Sequence, residues 1–435
     1  MTTMTPSITP APVETAESWR DRIRITRQGV FSIFFILFGA ILIWNALQFI
    51  SPETITTLTF GSGLPQLPMP TQATTLIIGI IWLAGGLFAL FAPAAYKRVR
   101  QALLLLNGVL IIPVVIIIAA AGASTNVTVL LQVSMRLATP IVLGAMAGIW
   151  CERSGVTNIA IEGMMLTGAC FGFVAFTLLG SAMPTPQAQL IGVLVATLSG
   201  GIMSVLHAWL SITFKTNQIV SGTVINILAV GVTSFIRREV LLSSEAGREP
   251  LRQFAIPGLS QIPIAGEVFF NGRPIFYMMF VLLFVTHIVL FYTRWGLRTR
   301  AVGENPKAAD TLGINVIRNR WINVMIGGLI AGLAGAWFSL ETNGSFDDNM
   351  TSGRGFIALA AMIFGNWTPF GAFGGGLLFG FSDALGQRFQ LLGVPIPSQF
   401  LQMVPFIITI VVLAGLVGRA VAPKADGVPY DKEGK

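Results

Sequence analysis

Long apolar runs are the feature that most constrains what this chain can fold into. Hydrophobic residues make up 54% of its 435 residues and charged residues only 11%, whereas a soluble domain carries about 25% charged residues. A helix needs about 20 consecutive apolar residues to cross the hydrocarbon core of a bilayer, and several runs reach that length. Because a spanning segment must satisfy its own backbone hydrogen bonds in lipid, we predict an all-α polytopic membrane protein.

The distribution of positive charge gives the order in which the runs cross. Lys and Arg concentrate in cytoplasmic loops, and most of the 27 in this chain fall in alternate loops when ten full spans are drawn. Both termini then lie in the cytoplasm. The long outer loop 237–274 fits the charge rule least, so an error there would reverse the spans that follow. The predicted spans are 29–50, 72–94, 102–121, 127–150, 155–180, 190–212, 218–236, 275–292, 321–340 and 400–418.

One further apolar run, 355–381, is long enough to cross once but is interrupted. Pro369 follows Trp367 closely, and glycines cluster between positions 371 and 376. If both termini are cytoplasmic, this run must begin and end outside. We therefore predict a broken re-entrant hairpin over 356–380, which is tolerated at membrane depth only where protein or water surrounds it.

The predicted organisation has four parts. Pairs of glycines four residues apart, such as Gly144/Gly148 and Gly328/Gly332, let helix backbones approach closely, so we expect a tightly packed helical bundle. The parts are a cytoplasmic tail (1–28), an N-terminal segment of three spans (29–122), a core domain (123–420) and a cytoplasmic C-terminal tail (421–435).

A polar segment, 298–316, lies between two spans and carries its own helix signals. Asn305 is a good N-cap because its side-chain oxygen can accept a free backbone N–H. Pro306 suits the first helical position, which needs no N–H, and Gly313 suits the left-handed residue that ends a helix. Surrounding basic residues place the segment on the cytoplasmic side. Such a short capped helix is either an ordinary structured loop or a docking site for a partner.

The run from Val302 to Val316 resembles the cytoplasmic coupling loop of ATP-binding-cassette (ABC) importer permeases, in the family that includes branched-chain amino acid, ribose and nucleoside permeases. The resemblance implies that the loop docks into a groove of a separate ATPase subunit. A small surface formed by Ala308 and Ala309 suits such an insertion. The residues predicted to make the contact are Gly303, Glu304, Asn305, Pro306, Lys307, Ala308, Ala309, Leu312 and Gly313.

A second stretch, 152–169, resembles the nucleoside branch of this family more closely than its ribose or branched-chain branches. Asn158 and Glu162 are four residues apart and would share one helix face. A carboxylate within a span usually faces a bundle interior, an aqueous cavity or a partner charge. Two interpretations stay open: an ion pair with Arg136 or Arg153, or a polar face that lines the transport pathway.

Three more residues complete the predicted substrate pathway. Segments 217–226 and 353–361 also resemble family stretches, and Asn226 could supply a hydrogen-bonding group, although a bond between helices without substrate contact is the alternative. Phe346 and Trp367 could offer stacking surfaces near the outer end of the core. The pathway prediction therefore rests on Asn158, Glu162, Asn226, Phe346 and Trp367.

Motifs of other chemistries are absent from the sequence. There is no G-x-x-x-x-G-K-[ST] phosphate loop, so we expect no cofactor in this chain and ATP hydrolysis on a partner subunit. The two cysteines, Cys151 and Cys170, have no metal-ligand spacing, and we expect no metal site. The net charge of +8 reflects cytoplasmic loops of a membrane protein, so we expect no nucleic-acid partner.

The resemblance implies the transmembrane permease subunit of a prokaryotic ATP-driven importer in the cytoplasmic membrane, with nucleosides as the favoured solute. It also implies three partners: a cytoplasmic ABC ATPase, a second permease subunit of similar fold, and an extracellular or periplasmic substrate-binding lipoprotein. One alternative is a simple-sugar permease of the ribose type. Another is an ion-coupled secondary transporter in which Glu162 binds a proton or cation; such a carrier would need no docking helix.

Overall fold

The computed structural model describes residues 27–61, 63–242, 249–391, 403 and 420–432. Within these ranges nine helices are long and apolar enough to cross a membrane, and they coincide with the first nine predicted spans. The chain is therefore a multi-pass helical membrane protein, as predicted. The predicted tail 1–28 and tenth span 400–418 fall almost entirely outside the described residues.

The chain divides into two compact units, and the first holds the N-terminal helices. These are α1 (Arg27–Phe49), α2 (Thr71–Phe91) and α3 (Lys97–Val109). The side-chain amide of Gln72 donates to the carbonyl oxygens of Ala46 and Ile50 at 3.1 and 2.9 Å. It thereby satisfies carbonyls that the end of α1 leaves without a helical partner.

The second unit begins with a small sheet that the sequence analysis did not predict. Strand β1 (Ile55–Thr59) pairs antiparallel with β2 (Leu67–Pro70) and parallel with β3 (Ser124–Asn126). Helix α4 (Ile111–Ala119) precedes β3. The Asn126 side chain accepts the N–H of Val129 at 3.1 Å and so caps the next helix.

The remaining helices build the core of the second unit. π-Helical turns at Trp209–Thr213, Arg237–Leu241 and Trp337–Asn343 extend the helices that end at Ala208, Ile236 and Ala336. Strands β4 (Phe254–Ala255) and β5 (Asn271–Gly272) pair antiparallel in the long loop before the helix that begins at Pro274. The helices are α5 (Val127–Glu152), α6 (Ile161–Leu179), α7 (Thr185–Ala208), α8 (Gln218–Ile236), α9 (Ala265–Phe269), α10 (Pro274–Tyr292), α11 (Arg294–Glu304), α12 (Pro306–Thr311), α13 (Val316–Ala336), α14 (Arg354–Phe364) and α15 (Pro369–Leu391).

Glycines allow α6, α7 and α13 to cross almost backbone to backbone. A Cβ atom on Gly168 would lie 2.5 Å from the carbonyl oxygen of Gly332, and one on Gly200 would lie 2.5 Å from that of Gly328. These distances are shorter than any van der Waals contact, so even alanine would force the helices apart. The expected close packing through small residues is confirmed at this crossing.

The direction of the helices defines two faces of the second unit. The basic face is the one at which α5 ends, and it holds Arg153, Lys215, α11 and α12. The opposite face is the one at which α5 begins. Arg388, near the end of α15, donates to Ser124 and Thr125 on this opposite face at 3.1 Å each.

The predicted broken hairpin is present, and both of its ends lie towards the opposite face. Helix α14 runs along α5 to a break at 365–368, where the Arg153 guanidinium donates to the carbonyl oxygens of Asn366 and Trp367 at 3.1 and 2.9 Å. Helix α15 then returns. At 1.5 Å per residue, α15 is about 35 Å long and crosses the core, whereas α14 is about 16 Å long and covers half of it.

The hairpin predicts a labelling pattern. Asp348 and Gln387 are both exposed at the opposite face, whereas Leu312 is exposed at the basic face. After Cys151 and Cys170 are replaced with alanine, a membrane-impermeant maleimide is added to intact cells. It should label Asp348→Cys and Gln387→Cys to a similar extent. Leu312→Cys should label only after the membrane is opened. Labelling of only one of the first two would show that 354–391 crosses an odd number of times.

Candidate functional site

The short helix predicted in the polar segment is present at the basic face. Helix α12 begins at Pro306, and the Asn305 side chain accepts the N–H of Ala308 at 3.1 Å. Gly313 follows with a φ of +80°, the left-handed conformation that glycine adopts without strain. All three sequence signals therefore act as predicted, because capping depends on neighbours along the chain.

The exposed surface of α12 differs from the predicted one. Leu312 is 81% exposed, and Lys307 and Ala308 are also exposed. Ala309 is only 2% exposed and packs against Val302, Val316 and Tyr430. The prediction that Ala308 and Ala309 form one surface is therefore wrong, because successive helical residues point about 100° apart and Ala309 faces the protein's own interior.

The C-terminal segment 420–432, which we call the strap, lies against this region. The sequence predicts only a cytoplasmic tail over 421–435. Its Val421 N–H donates to the Asn366 side chain at 3.3 Å, and its Ala425 N–H donates to the Gly303 carbonyl at 2.9 Å. Arg320 donates to the Val428 carbonyl at 2.9 Å. The strap thus contacts the hairpin break, α11 and α13 in turn.

A pair of carboxylates joins the strap to α5. Asp426 accepts the Thr157 hydroxyl at 3.0 Å and lies beside Glu152. Burial raises the pKa of Asp426 to about 6, against the opposing effects of Thr157, Glu152, the Gly427 N–H and Arg320. Glu152 also accepts the indole N–H of Trp367 at 2.6 Å. This single carboxylate therefore connects the strap with the hairpin break.

The helix that carries Glu162 starts later than predicted. Span 155–180 was expected to place Asn158 and Glu162 on one helix face, but α6 begins at Ile161 and Gly155 has a φ of +85°. Asn158 lies in the non-helical entry. Its side chain accepts the Ala160 N–H at 3.1 Å and donates to the Cys151 sulfur at 3.3 Å. The shared-face prediction is wrong, and Asn158 holds the start of the helix.

Asn226, on α8, forms hydrogen bonds to the backbone on both sides of the start of α6. Its side-chain oxygen accepts the Gly163 N–H at 2.8 Å, and its amide donates to the Ile159 carbonyl at 2.9 Å. Asn226 is nine residues beyond the cap Asn217, which places it about 13 Å along the helix. The start of α6 is therefore inside the bundle. Asn226 forms hydrogen bonds between helices, as the alternative interpretation predicted.

Glu162 holds the start of α14. Its carboxylate accepts the Thr351 hydroxyl at 2.5 Å, the Gly353 N–H at 2.8 Å and the Gly355 N–H at 2.5 Å. A negative charge is favourable at a helix N-terminus, where backbone N–H groups have no helical acceptor. Asn158, Asn226 and Glu162 together form what we call the helix-break cluster.

The predicted ion pair of Glu162 with Arg136 or Arg153 is wrong. Arg153 is engaged with the hairpin break. Arg136 instead lines a cavity of about 10 Å³, next to Arg273 and Glu341. Glu341 repeats the arrangement of Glu162, because it accepts the Ile275 and Phe276 N–H groups of α10 at 2.6 and 3.2 Å.

The two predicted aromatic residues lie at different faces. The Phe346 carbonyl accepts from Arg237 at the opposite face at 3.4 Å, whereas Trp367 lies at the basic face beside Arg153. Both residues were expected near the outer end of the core; because they lie at different faces, their joint placement at one end is wrong. The rings are 4% and 5% exposed, so they do not flank one common space. A role of the five pathway residues in substrate contact stays a prediction.

Comparison with known proteins identifies the family. The family described as branched-chain amino acid transport system, permease component, matches residues 130–413. The chain belongs to this permease family. The predicted resemblance to this permease family is confirmed, and the relatives that the chain resembles are permease subunits, which are not themselves enzymes. No solved structure matches the chain significantly.

Three relatives are similar over most of their own length. The chain is 42% identical to the guanosine ABC transporter permease protein NupQ of Bacillus subtilis, over 70% of this chain and 97% of the relative. It is 40% identical to the nucleoside ABC transporter permease protein NupC of Lactococcus lactis, over 68% and 94%. It is 36% identical to the putative glucose ABC transporter permease protein TsgC13 of Haloferax volcanii, over 61% and 79%.

The geometry of Glu162 predicts a stability effect. Replacing Glu162 with Gln removes the charge that three donors share, and hydrogen bonds to a charged group contribute about 1.5–3 kcal/mol each. We expect a lower melting temperature of the purified permease in detergent. The matched control is Glu239→Gln, which changes an exposed carboxylate and should leave the melting temperature unchanged. Equal melting temperatures for Glu162→Gln and wild type would contradict the capping role.

Proposed function

We propose that this chain is the permease subunit of an ABC importer for nucleosides, with α12 as the contact for its ATPase. The observation that carries the proposal is a capped helix exposed at the basic face of a permease-family chain whose similar relatives include two named for guanosine or nucleoside transport. The chain would form the membrane pathway, and ATP would be hydrolysed by the partner.

The surface of α12 suits docking. Leu312 exposes 81% of its surface and so offers an apolar side chain that a groove in a partner could cover. Lys307 and Ala308 are exposed beside it, while the buried Ala309 anchors the helix to the protein. A groove in the ATPase would therefore receive Lys307, Ala308 and Leu312, and a push on this helix would reach the permease through Ala309.

The basic face would be cytoplasmic because Lys and Arg concentrate on that side of membrane proteins. The termini would then be cytoplasmic, as the charge distribution predicts. A substrate-binding lipoprotein would meet the opposite face. Exposed apolar residues on α8, including Ile219, Val224 and Ile227, would face lipid or a second permease subunit of similar fold.

The sugar-permease alternative is supported by the relative named for glucose transport. The ion-coupled alternative is less favoured. Its proposed ion site, Glu162, already accepts three hydrogen bonds from the chain, so a cation would have to displace them. A docking helix would also have no purpose in a carrier without an ATPase.

Docking through α12 predicts a specific loss of ATPase binding. Ala308→Glu adds a charged side chain at an exposed position, so we expect loss of ATPase co-purification with normal membrane insertion. Ala309→Glu would instead bury a charge and should reduce the amount of folded permease. Ala182→Glu makes the same change at an exposed position of the opposite face and is the control. Undiminished co-purification with Ala308→Glu would remove α12 from the interface.

An uptake experiment tests the solute and the energy source. Vesicles containing the permease and its ATPase, supplied with the binding protein, should accumulate labelled guanosine or adenosine only when ATP is present. Labelled ribose in the same vesicles tests the sugar alternative. A sugar permease should accumulate ribose, and unlabelled nucleosides should not compete with that uptake. Uptake driven by a proton gradient without ATP would favour the ion-coupled carrier.

A further inference from the structure

The strap contacts both helix α12 and the hairpin break. At one end, Tyr430 is 8% exposed and packs against Val302, Ala309 and Val316, so it supports the buried side of α12. Lys432 adds an ion pair with Asp310 of α12 at 3.8 Å. This end of the strap is therefore fixed to the docking helix.

The other end of the strap is fixed to the hairpin break. The Val421 N–H donates to the Asn366 side chain at 3.3 Å. Asn366 and Trp367 have φ angles of +50° and +52°, a conformation that is costly for residues other than glycine and persists only where surrounding contacts support it. Those contacts come from Arg153, Glu152 and the strap.

The middle of the strap is fitted closely to the protein. The Ala425 N–H bonds to Gly303, and a Cβ atom on Gly155 would lie 3.0 Å from the Ala425 carbonyl oxygen. Asp431 forms an ion pair with Lys215 in the connection between α7 and α8. The strap thus contacts the hairpin break, the α5–α6 connection, the α7–α8 connection and helices α11 to α13, all at the basic face.

We propose that the strap is a coupling element that links α12 to the hairpin break, so that displacement of α12 by the ATPase moves the half-length helix α14. The proposal rests on the proposed docking of the ATPase at α12. Coupling between two sites requires a contiguous element whose position both sites influence, and the strap contacts both. Movement at the break would be transmitted along α14 to its N-terminus, which Glu162 holds in the middle of the bundle.

Two substitutions detach the strap at one end each. Asn366→Gly removes the side-chain acceptor of the Val421 N–H and keeps the positive φ, which glycine adopts freely. Its matched control is Asn349→Gly, which makes the same change at a residue with φ +52° at the opposite face. Tyr430→Ala removes the ring beneath α12. Tyr430→Phe keeps the ring, so it should keep wild-type coupling if the packing of the ring under α12 is what links the strap to this helix.

The first measurement is nucleoside uptake per ATP hydrolysed by the reconstituted complex. Changes along coupling networks contribute about 0.5–2 kcal/mol, so Asn366→Gly and Tyr430→Ala should each lower this ratio about 2- to 30-fold while ATPase co-purification stays at the wild-type level. Asn349→Gly and Tyr430→Phe should match wild type. Wild-type ratios in both test variants would overturn the proposal, and so would loss of ATPase binding in both, because the strap would then act in docking itself.

The second measurement needs only the purified permease. Hydrogen exchange of the backbone amides at 365–368 should accelerate in Tyr430→Ala, although Tyr430 contacts α12 and not the break. Unchanged exchange there would overturn the link even if the importer function holds. Absence of ATP-driven uptake by the wild type, with accelerated exchange in Tyr430→Ala, would instead count against the proposed function and leave the physical link intact.

Discussion

The constraint on which this structure depends is the need to satisfy broken helix backbone inside a membrane. Water is absent from the hydrocarbon core, so each free N–H at an internal helix start must find an acceptor in the protein. The chain meets this need with buried side chains: Asn158 and Asn226 at the start of α6, and Glu162 at the start of α14. At the start of the full-length helix α10, Glu341 likewise accepts the N–H groups of Ile275 and Phe276.

These caps explain a difference between the sequence and the structure. From the sequence, the polar residues of the core suggest a transport pathway, but in the structure they are buried and bonded to the backbone. A buried carboxylate without partners would cost several kcal/mol, and Glu162 avoids that cost by accepting three hydrogen bonds. The same arrangement gives the core two internal helix ends that are held by only a few side chains.

The basic face shows how a short helix is stabilised by the residues beneath it. An isolated helix of six residues is marginal in water, so α12 depends on what lies beneath it. Val302, Val316 and Tyr430 of the strap provide that support. One side of α12 is thus available to a partner while the other is continuous with the protein. Glu152 connects the strap with the hairpin break.

The sequence by itself determined nine membrane-spanning helices of the described residues and the short capped helix α12. Runs of apolar residues report membrane crossings directly, and the cap formed by Asn305, Pro306 and Gly313 depends only on residues next to each other in the chain. The interruption before Pro369 could also be predicted from the sequence, because it depends on residues next to each other in the chain. The family resemblance of the coupling loop was carried by contiguous residues and needed no contacts.

Only the tertiary structure decided where the polar side chains go. Glu162 takes its donors from residues 351–355, nearly 200 positions away along the chain, and no local pattern shows such a partner. Ala309 and Ala308 are neighbours in sequence, but packing against Tyr430 buries one and leaves the other exposed. The strap has no helix or strand periodicity in its sequence, because its residues contact different, distant parts of the chain one at a time. Long-range contacts of this kind arise from the packed fold, and they decide which residues support the structure and which remain free to act.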